Sequence, residues 1–324
     1  MATARVDIHA DMLDWRQRLE GAISDFDQSP PLVHLLHELN SALERMDRGT
    51  YGVCQACDGV MTKDIVVDPL ARYCLECLTS DEARALQDDL DSVSKVQFEM
   101  LPKHDFCFNG WEACYHYEAV GPVSGDYCDL LSADNGDLFF LFGDVAGKGI
   151  AASMLMAHLS ATFRSLITVN LPVNQLVERA NKVFSESTMP AYFATLVCGR
   201  ATSSGEVELC NAGHLPPLLI RGGEVTAIEA TGLPLGLFCR EQYSVASLTL
   251  EKDDLLLLYT DGLTEARDPL DGEYGSERLL GLAGAYRSLA PQQLVEACLD
   301  DVRSFRSGAP RTDDLTVMAI RRSE

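Results

Sequence analysis

Four aspartates lie at the ends of apolar, strand-like runs or beside tight glycine turns, and their placement limits the possible folds. They occur in GPVSGDYCD, FFLFGDVAGKG, LLLLYTDGLTEA and TDDLTVMAI, as Asp126, Asp144, Asp261 and Asp313, respectively. Carboxylates that lie close together raise one another's pKa unless a cation neutralises them. If the fold brings these strand ends together, the four carboxylates form a site for hard divalent cations. The chemistry that we predict for such a site is metal-assisted hydrolysis.

Composition and charge narrow the class of protein. The chain has 324 residues, of which 47% are hydrophobic, so a folded protein with more than one domain is expected. No apolar run approaches the roughly 20 residues that span a bilayer, and the charged N-terminus MATARVDIHADML does not resemble a signal peptide. We therefore expect a cytoplasmic protein. The formal net charge of −23 offers no basic face for nucleic acid or an anionic membrane.

Apolar periodicity divides the chain into four segments. They are a helical N-terminal region (1–49), a cysteine module (50–78), a linker helix (79–103) and a catalytic domain (104–324). In the last segment, several strand-like runs follow one another with only turn residues between them, as at GRATSSGEVE. This spacing predicts an α+β fold with antiparallel sheets and helices packed outside them, rather than a parallel α/β fold.

The linker helix carries a short heptad seam. Its apolar positions recur at intervals of four, three and seven residues, and they are Leu86, Leu90, Val93 and Met100. Gln97 occupies the seam position between the last two. Such spacing is typical of a two-stranded coiled coil. The seam is short, so homodimerisation and packing on the next domain both stay open.

Two C-x-x-C pairs, Cys54 with Cys57 and Cys74 with Cys77, are separated by sixteen residues. Each pair supplies two thiolates from one turn, and four thiolates complete the tetrahedron that structural zinc prefers. The stretch YGVCQACDGVMTKDIVVDPLARYCLECL resembles the zinc finger of the DksA/TraR family, with Asp58 where that family commonly has glycine. The resemblance implies one structural Zn²⁺ and a module that binds a regulatory protein, senses a signal, dimerises or contacts RNA polymerase.

Residues 104–324 carry a second set of motifs. FGDVAGKG is not a Walker loop, because three rather than four residues separate Gly143 from Gly147 and no Ser or Thr follows the lysine. With a VQFEMLP lead-in, the segment instead contains GPVSGDYCD, GDVAGKGIAASMLMA, FATLVCG, NAGHLPPLL, TGLPLG, YTDGLTEARD and DDLTVMAI, in that order. In this set and order it resembles the SpoIIE/RsbU branch of the metal-dependent protein phosphatases (the PPM family). That resemblance implies an α-β-β-α sandwich of two antiparallel sheets flanked by helices.

The same resemblance implies a site with two Mn²⁺ or Mg²⁺ ions. Asp144 would bind both ions, and the carbonyl oxygen of Val145 would complete the coordination of one of them. Asp126 would bind the ion on one side of the site, and Asp261 and Asp313 would bind the ion on the other side. A water activated by the ions would hydrolyse a phosphoserine or phosphothreonine. In this branch the usual substrate is a phosphorylated anti-sigma-factor antagonist. The alternative is an RNA-polymerase-binding adaptor that carries a degenerate phosphatase domain.

Each of four further residues has two possible roles. Asp314 competes with Asp313 as the metal ligand, and we favour Asp313. Asp129 is expected to orient the first motif rather than bind metal. Lys148 is interpreted as an exposed side chain in preference to a phosphate contact, and His214 as a residue that ties a turn in preference to a proton donor.

Overall fold

The protein is described by a computed structural model, which covers residues 12–13, 16, 30–61, 70–74, 77, 80–188, 192–285 and 290–323. The chain forms two compact units, Met1–Asp89 and Leu90–Glu324. Most of the helix that the sequence suggests at residues 9–23 lies outside the described residues.

The first unit contains helix α1 (Pro30–Asp47), whose apolar side packs into a small core. Leu39 and Leu43 are buried there beside Tyr51. Arg45, on the same helix, donates to the carbonyls of Ala71 (2.6 Å) and Leu70 (2.9 Å), just before the second cysteine pair. The guanidinium thereby ties the cysteine segment to the helix, because its fork of donors can satisfy two backbone acceptors at once.

Helix α2 (Ser80–Met100) contains the predicted heptad seam. Leu86, Leu90, Val93 and Met100 are half-buried, whereas the neighbouring Val96 and Phe98 are 63% and 57% exposed. Gln97 is the buried member of the seam, at 6% exposure. The seam is thus the more protected side of α2.

The second unit consists of two antiparallel sheets with helices. The strands are β1 (Asp105–Phe108), β2 (Trp111–Glu118), β3 (Asp126–Ser132), β4 (Leu138–Val145), β5 (Ala194–Ala201), β6 (Glu206–Ala212), β7 (Leu218–Arg221), β8 (Glu224–Ala227), β9 (Ala246–Thr249), β10 (Leu255–Tyr259) and β11 (Leu315–Arg322). One sheet has the order β1-β2-β11-β10-β7-β8 and the other β3-β4-β5-β6-β9. The helices are α3 (Gly149–Ile167), α4 (Val173–Ser187), α5 (Asp261–Thr264), α6 (Ser276–Ala285) and α7 (Pro291–Arg306).

Three hydrophobic clusters fill the spaces between these layers. One joins the inner faces of both sheets, a second lies between the β3–β6 face and helices α3 and α4, and a third between the other sheet and helices α6 and α7. Strand β4 contributes to two of these clusters, because alternate side chains point to opposite faces of the sheet. Phe140 and Phe142 face the opposite sheet, whereas Phe139 and Leu141 face the helices. Each such side chain stabilises the fold by about 1.5–3 kcal/mol. The predicted sandwich of two antiparallel sheets flanked by helices is confirmed.

Helix α3 departs from one sequence expectation. By length and composition alone it is apolar enough to cross a membrane, although we expected no such segment. In the structure its buried residues, including Met156, Leu159 and Phe163, belong to the core beneath the second sheet. This packing explains its composition.

The sequence predicts strands in eight runs, and each of them contains a strand: EACYHYEAV, DLFFLFG, YFATLVCGR, GEVELCNAG, PPLLI, YSVASLTL, DLLLLYT and LTVMAI. Strands β1, β3 and β8 lie outside these runs and were not predicted. Strand β3 reads DYCDLLS, in which Asp126, Asp129 and Ser132 break the apolar pattern. Its pairing with β4 and the burial of five of its residues stabilise it as a strand nonetheless. Asp126 therefore begins a strand, and Asp144 lies within β4 rather than after it.

Candidate active site

The aspartates come from both sheets of the second unit. Asp126 and Asp144 are direct partners across the β3–β4 pair. Asp261 begins α5 immediately after β10, and Asp313 lies two residues before β11, which pairs with β10. Strand pairing therefore brings together residues that are far apart in the sequence.

A cavity of about 410 Å³ lies at these strand ends, and most of its charged lining is acidic. The acidic lining residues are Asp144, Asp261, Glu265, Asp313 and Asp314. Among the described residues that line it, Lys148 is the one positively charged side chain, because burial lowers the pKa of His214 to about 4 and keeps that ring neutral at pH 7. The cavity thus holds three of the four predicted aspartates.

Asp126, the fourth, lies behind the cavity wall and is 2% exposed. Its Oδ2 accepts hydrogen bonds from the hydroxyls of Thr260 (3.1 Å) and Thr316. Sequence reasoning missed both threonines. The available signal was their position, since Thr260 directly precedes Asp261 and Thr316 lies three residues after Asp313.

Burial and mutual repulsion raise the pKa of three carboxyls. Burial, then the charge of Asp144, raises the pKa of Asp126 well above its ordinary value. Burial, followed by Asp261, Asp313 and Asp314, raises the pKa of Asp144 to about 7. Burial and then Asp313 raise the pKa of Asp261. Such repulsion favours either protonation or a bound cation.

The backbone beside Asp144 leaves room for a cation. A Cβ on Gly125 would lie 2.9 Å from the Val145 carbonyl oxygen and 3.2 Å from Asp144 Oδ1. These two oxygens therefore border a space that only glycine leaves open. With carboxylates around them, they form an all-oxygen donor set of the kind that Mg²⁺ and Mn²⁺ prefer. The residues fit the predicted metals.

The carboxylates are more widely spread than a single compact ion site requires. In the described part of the chain, the cysteines form the only group of three or more metal-binding side chains whose ligand atoms all lie within 4.8 Å of one another. A pair of ions about 3.5–4 Å apart draws ligands from a larger region. The expectation of two ions therefore comes from the resemblance to the PPM family.

Asp313 and Asp314 have different surroundings. The Asp314 carboxylate accepts from the backbone amides of Val120 (2.7 Å) and Gly125 (3.2 Å), so both of its oxygens hold the loop before β3. Asp313 is partly exposed, and its oxygens accept from the Lys148 ammonium (2.8 Å) and from the Asp314 amide (3.0 Å). The two carboxylates differ in that Asp314 holds a distant loop, whereas Asp313 contacts a flexible lysine and its own neighbour, and Asp313 as the ligand stays a prediction. Lys148 is 58% exposed, as expected, and it also forms an ion pair with Asp313 at the site.

Asp129 has the orienting role that the sequence suggested. Its fully buried carboxylate receives two hydrogen bonds from Arg164 on α3, at 2.8 and 3.1 Å. Arg164 also donates to the Met100 carbonyl at the end of α2. Asp129 thus joins β3 to two helices, and its oxygens are engaged by a guanidinium rather than directed at the cavity.

His214 lines the cavity wall and ties a turn. Its backbone amide donates to Asn211 Oδ1 at 2.8 Å. The Tyr259 carbonyl can only accept, so the ring Nε2, 3.2 Å away, carries the proton, and Nδ1 accepts from the Thr195 hydroxyl at 2.8 Å. Because Nε2–H is directed at the backbone, the ring supports structure, as expected.

His214 predicts an acid-dependent loss of stability. Burial lowers its pKa to about 4 in the folded protein, against about 6.5 when unfolded. Neutral His214 is therefore favoured by folding, and this contribution falls as pH drops from 6.5 to 4, by about 3 kcal/mol in total. We expect urea unfolding of wild type to lose that much more stability over this range than unfolding of His214→Gln. Equal pH dependence in both proteins would contradict the assignment.

The four cysteines of the first unit form a compact cluster. All four Sγ atoms lie within 4.8 Å of one another, and those of Cys57 and Cys74 are 3.7 Å apart. The Cys54 thiol accepts from the backbone amides of Cys74 (3.3 Å) and Ala56 (3.5 Å), which lower its pKa to about 6. These amide bonds favour the thiolate of Cys54, which is the form of cysteine that binds zinc, whereas the neighbouring thiols raise the pKa of Cys77.

The fold and motifs have known relatives. The profile of the family described as Stage II sporulation protein E (SpoIIE) matches residues 134–323, more than half of the chain. This chain belongs to the SpoIIE family. Because the match begins at residue 134, the resemblance of residues 50–78 to the DksA/TraR finger stays a prediction.

Individual relatives of this SpoIIE-family chain are distant. Protein IcfG of Synechocystis sp. (strain ATCC 27184 / PCC 6803 / Kazusa) is 25% identical over 72% of this chain and 42% of IcfG. Phosphoserine phosphatase RsbU of Bacillus subtilis (strain 168) is 26% identical over 62% of this chain and 60% of RsbU. The crystal structure of the RsbU and RsbW domains of Rv1364c from Mycobacterium tuberculosis superimposes with a TM-score of 0.56 and 28% identity, covering 66% of this chain and 62% of that one. The chain spans less than two thirds of each.

Proposed function

We propose that this chain is a metal-dependent serine/threonine protein phosphatase. The observation that carries the proposal is the convergence of Asp144, Asp261 and Asp313 in one cavity, beside the Val145 carbonyl and the space left by Gly125. Membership of the SpoIIE family and the naming of RsbU as a phosphoserine phosphatase support it. The proposed substrate is a phosphorylated anti-sigma-factor antagonist, and the proposed location is the cytoplasm.

The residues have distinct tasks in this proposal. Two divalent cations, when bound, neutralise phosphoryl charge and lower the pKa of water. Asp126, Asp144, Asp261, Asp313 and the Val145 carbonyl would hold them. Thr260 and Thr316 orient the Asp126 carboxylate by hydrogen bonds. Asp314 fixes the loop before β3 through two backbone amides, and the cavity admits a phosphorylated side chain.

The test is hydrolysis of a phosphoserine peptide by the full chain. We expect no turnover after chelation, recovery with Mn²⁺ or Mg²⁺, and release of phosphate from phosphoserine in preference to phosphotyrosine. Turnover that persists without divalent metal would reject the proposal. Complete inactivity with Mn²⁺, together with capture of RNA polymerase by the full chain, would instead support the adaptor. The acidic lining of the cavity argues against a degenerate site.

The first unit is proposed to bind one Zn²⁺ through Cys54, Cys57, Cys74 and Cys77. We expect about one zinc per purified chain by metal analysis, and a loss of most of it in Cys74→Ser. Cys239→Ser is the matched control, because Cys239 is exposed and lies outside the cluster. Equal zinc content in both variants would exclude this site. We also propose that the module binds a regulatory protein, and this proposal rests on the DksA/TraR resemblance alone.

Regulation is proposed to run through helix α2, which contains residues of both units, with homodimerisation along its seam as one route. The contact that supports this is Gln97. Its side-chain amide donates to the Ser124 carbonyl (2.7 Å) and accepts from the Ser124 amide (3.0 Å). Ser124 Oγ in turn accepts from the Asp126 amide at 3.0 Å. A change in α2 would thus reach the first proposed ligand.

Gln97→Glu tests this connection, since a carboxylate cannot donate to the Ser124 carbonyl. We expect a loss of about 1–3 kcal/mol in unfolding free energy, as the buried partner is left unpaired, and weaker Mn²⁺ binding by calorimetry. Glu99→Gln, on an exposed position of the same helix, should change neither. Mn²⁺ affinity equal to wild type in Gln97→Glu would show that α2 does not position the site.

A further inference from the structure

Lys148 lies where a substrate phosphate would enter. It precedes α3, between Gly147 (φ 109°) and Gly149 (φ 73°), and its ammonium donates to Asp313 Oδ2 (2.8 Å) and to the Thr312 carbonyl (2.9 Å). The side chain is 58% exposed and lines the same cavity as Asp144 and Asp261. Its four-carbon stem can redirect the ammonium without a change in the backbone.

The charges in the cavity indicate that Lys148 offsets the repulsion between the acidic lining and a phosphate group. Four aspartates would cancel the charge of two divalent cations, which leaves the centre close to neutral. Glu265 and Asp314 add negative charge to the lining, and a phosphomonoester carries about −1.5 to −2 at pH 7. Among the described residues around the cavity, Lys148 alone offsets that repulsion.

The ion-pair partner of Lys148, Asp313, links the lysine to metal binding. Asp313 is a proposed metal ligand, so the ammonium and a divalent cation compete for the same carboxylate. A cation bound by Asp313 would weaken the attraction between that carboxylate and the ammonium and would itself repel the ammonium. The lysine can then donate a charge-assisted hydrogen bond to a phosphoryl oxygen.

We propose that Lys148 is a substrate-binding residue that pairs with Asp313 in the metal-free protein and with a phosphoryl oxygen of the phosphorylated substrate in the metal-loaded protein. This proposal rests on the proposed phosphatase function. It predicts effects of opposite sign for the two ligands. Loss of the lysine favours Mn²⁺, because a competitor for Asp313 is removed, and disfavours phosphate, because a charge-assisted hydrogen bond is removed.

The experiment compares full-length Lys148→Gln and Lys148→Arg with Lys252→Gln, which removes the same charge from an exposed turn elsewhere. Calorimetry measures Mn²⁺ binding, then binding of inorganic phosphate to the Mn²⁺-loaded protein. Lys148→Gln should bind Mn²⁺ at least as tightly as wild type and phosphate about tenfold more weakly, with a matching rise in KM for a phosphoserine peptide. Lys148→Arg should restore much of the phosphate affinity.

Other outcomes overturn the proposal in distinguishable ways. Weaker Mn²⁺ binding and unchanged phosphate affinity in Lys148→Gln would make the ion pair a structural tie between α3 and the segment before β11. Equal phosphate affinity in Lys148→Gln and Lys252→Gln would show a general charge effect. If wild type binds Mn²⁺ and phosphate but hydrolyses no phosphopeptide, the proposed function fails while the assignment of Lys148 is still decided by the phosphate data. If wild type binds no Mn²⁺, both proposals fall.

Discussion

Asp144→Asn is expected to abolish Mn²⁺-dependent phosphopeptide hydrolysis, with a loss of about a thousandfold or more. Asp144 is the proposed bridge between two cations, and its amide replacement lacks the charge that holds them. Metal ions contribute several kcal/mol to such reactions, and each 1.36 kcal/mol corresponds to a factor of ten. Steady-state kinetics with saturating Mn²⁺ measures the effect.

The same substitution should stabilise the metal-free protein. The pKa of Asp144 is raised to about 7 by burial and by the neighbouring carboxylates. Its contribution to stability is therefore fully present below the unfolded pKa of about 3.9 and is lost as pH rises through 7, at a cost on the order of 4 kcal/mol. At pH 8 without metal, Asp144→Asn should unfold at a higher urea concentration than wild type.

Asp134→Asn is the matched control, because Asp134 is exposed in the turn between β3 and β4. It should leave both activity and metal-free stability unchanged. An Asp144→Asn protein that hydrolyses phosphopeptide at the wild-type rate would remove Asp144 from the reaction. One that loses activity and also loses metal-free stability would show misfolding rather than relief of charge repulsion.

Gly125→Ala is the second substitution with a large expected effect. The added Cβ would lie 2.9 Å from the Val145 carbonyl oxygen, 3.2 Å from Asp144 Oδ1 and 3.3 Å from the Ala152 Cβ. Its backbone φ is not in the left-handed region, so alanine adds a side chain without backbone strain. We expect Mn²⁺ affinity to fall at least about tenfold by calorimetry, with an overpacking cost of about 1–3 kcal/mol.

Gly121→Ala, four residues earlier in the same loop, controls for the loss of glycine. Its Cβ would meet only the Val123 carbonyl oxygen, at an ordinary 3.7 Å, so metal affinity and stability should both stay near wild type. If Gly125→Ala binds Mn²⁺ as tightly as Gly121→Ala, the space beside Val145 and Asp144 is not part of a metal site.

The sequence predicted the elements whose pattern is determined by burial. The apolar run DLFFLFG and the helical stretch at about 148–168 predict β4 and α3 almost where they are found. This is because continuous apolar runs are buried on both faces of a strand or in a core beneath a sheet. Strand β3 was missed because Asp126 and Asp129 face partners from other elements, Thr260, Thr316 and Arg164. Local periodicity contains no information about such partners.

The site could be predicted in part for the same reason. The motifs predicted that four aspartates share one site, and the structure brings three of the four into one cavity. Other contacts join residues that are far apart in the sequence. Gln97 and Ser124 are 27 positions apart, and Asp314 and Val120, whose contact helps to distinguish Asp314 from Asp313, are 194 positions apart. Long-range backbone acceptors and donors leave no regular spacing in a sequence, so only coordinates reveal them.

The central position of β11 has a consequence for how this protein is made. Strand β2 pairs with β11, and Glu118 faces Leu315 about 200 residues later in the chain. At about 5–20 residues per second, a ribosome would need on the order of 10 s or more to supply that partner. Until then the nascent chain exposes one unpaired edge of β2 and lacks Asp313. The edge of β2 is therefore open to pairing with other chains until β11 emerges, and the proposed metal site can form only after that.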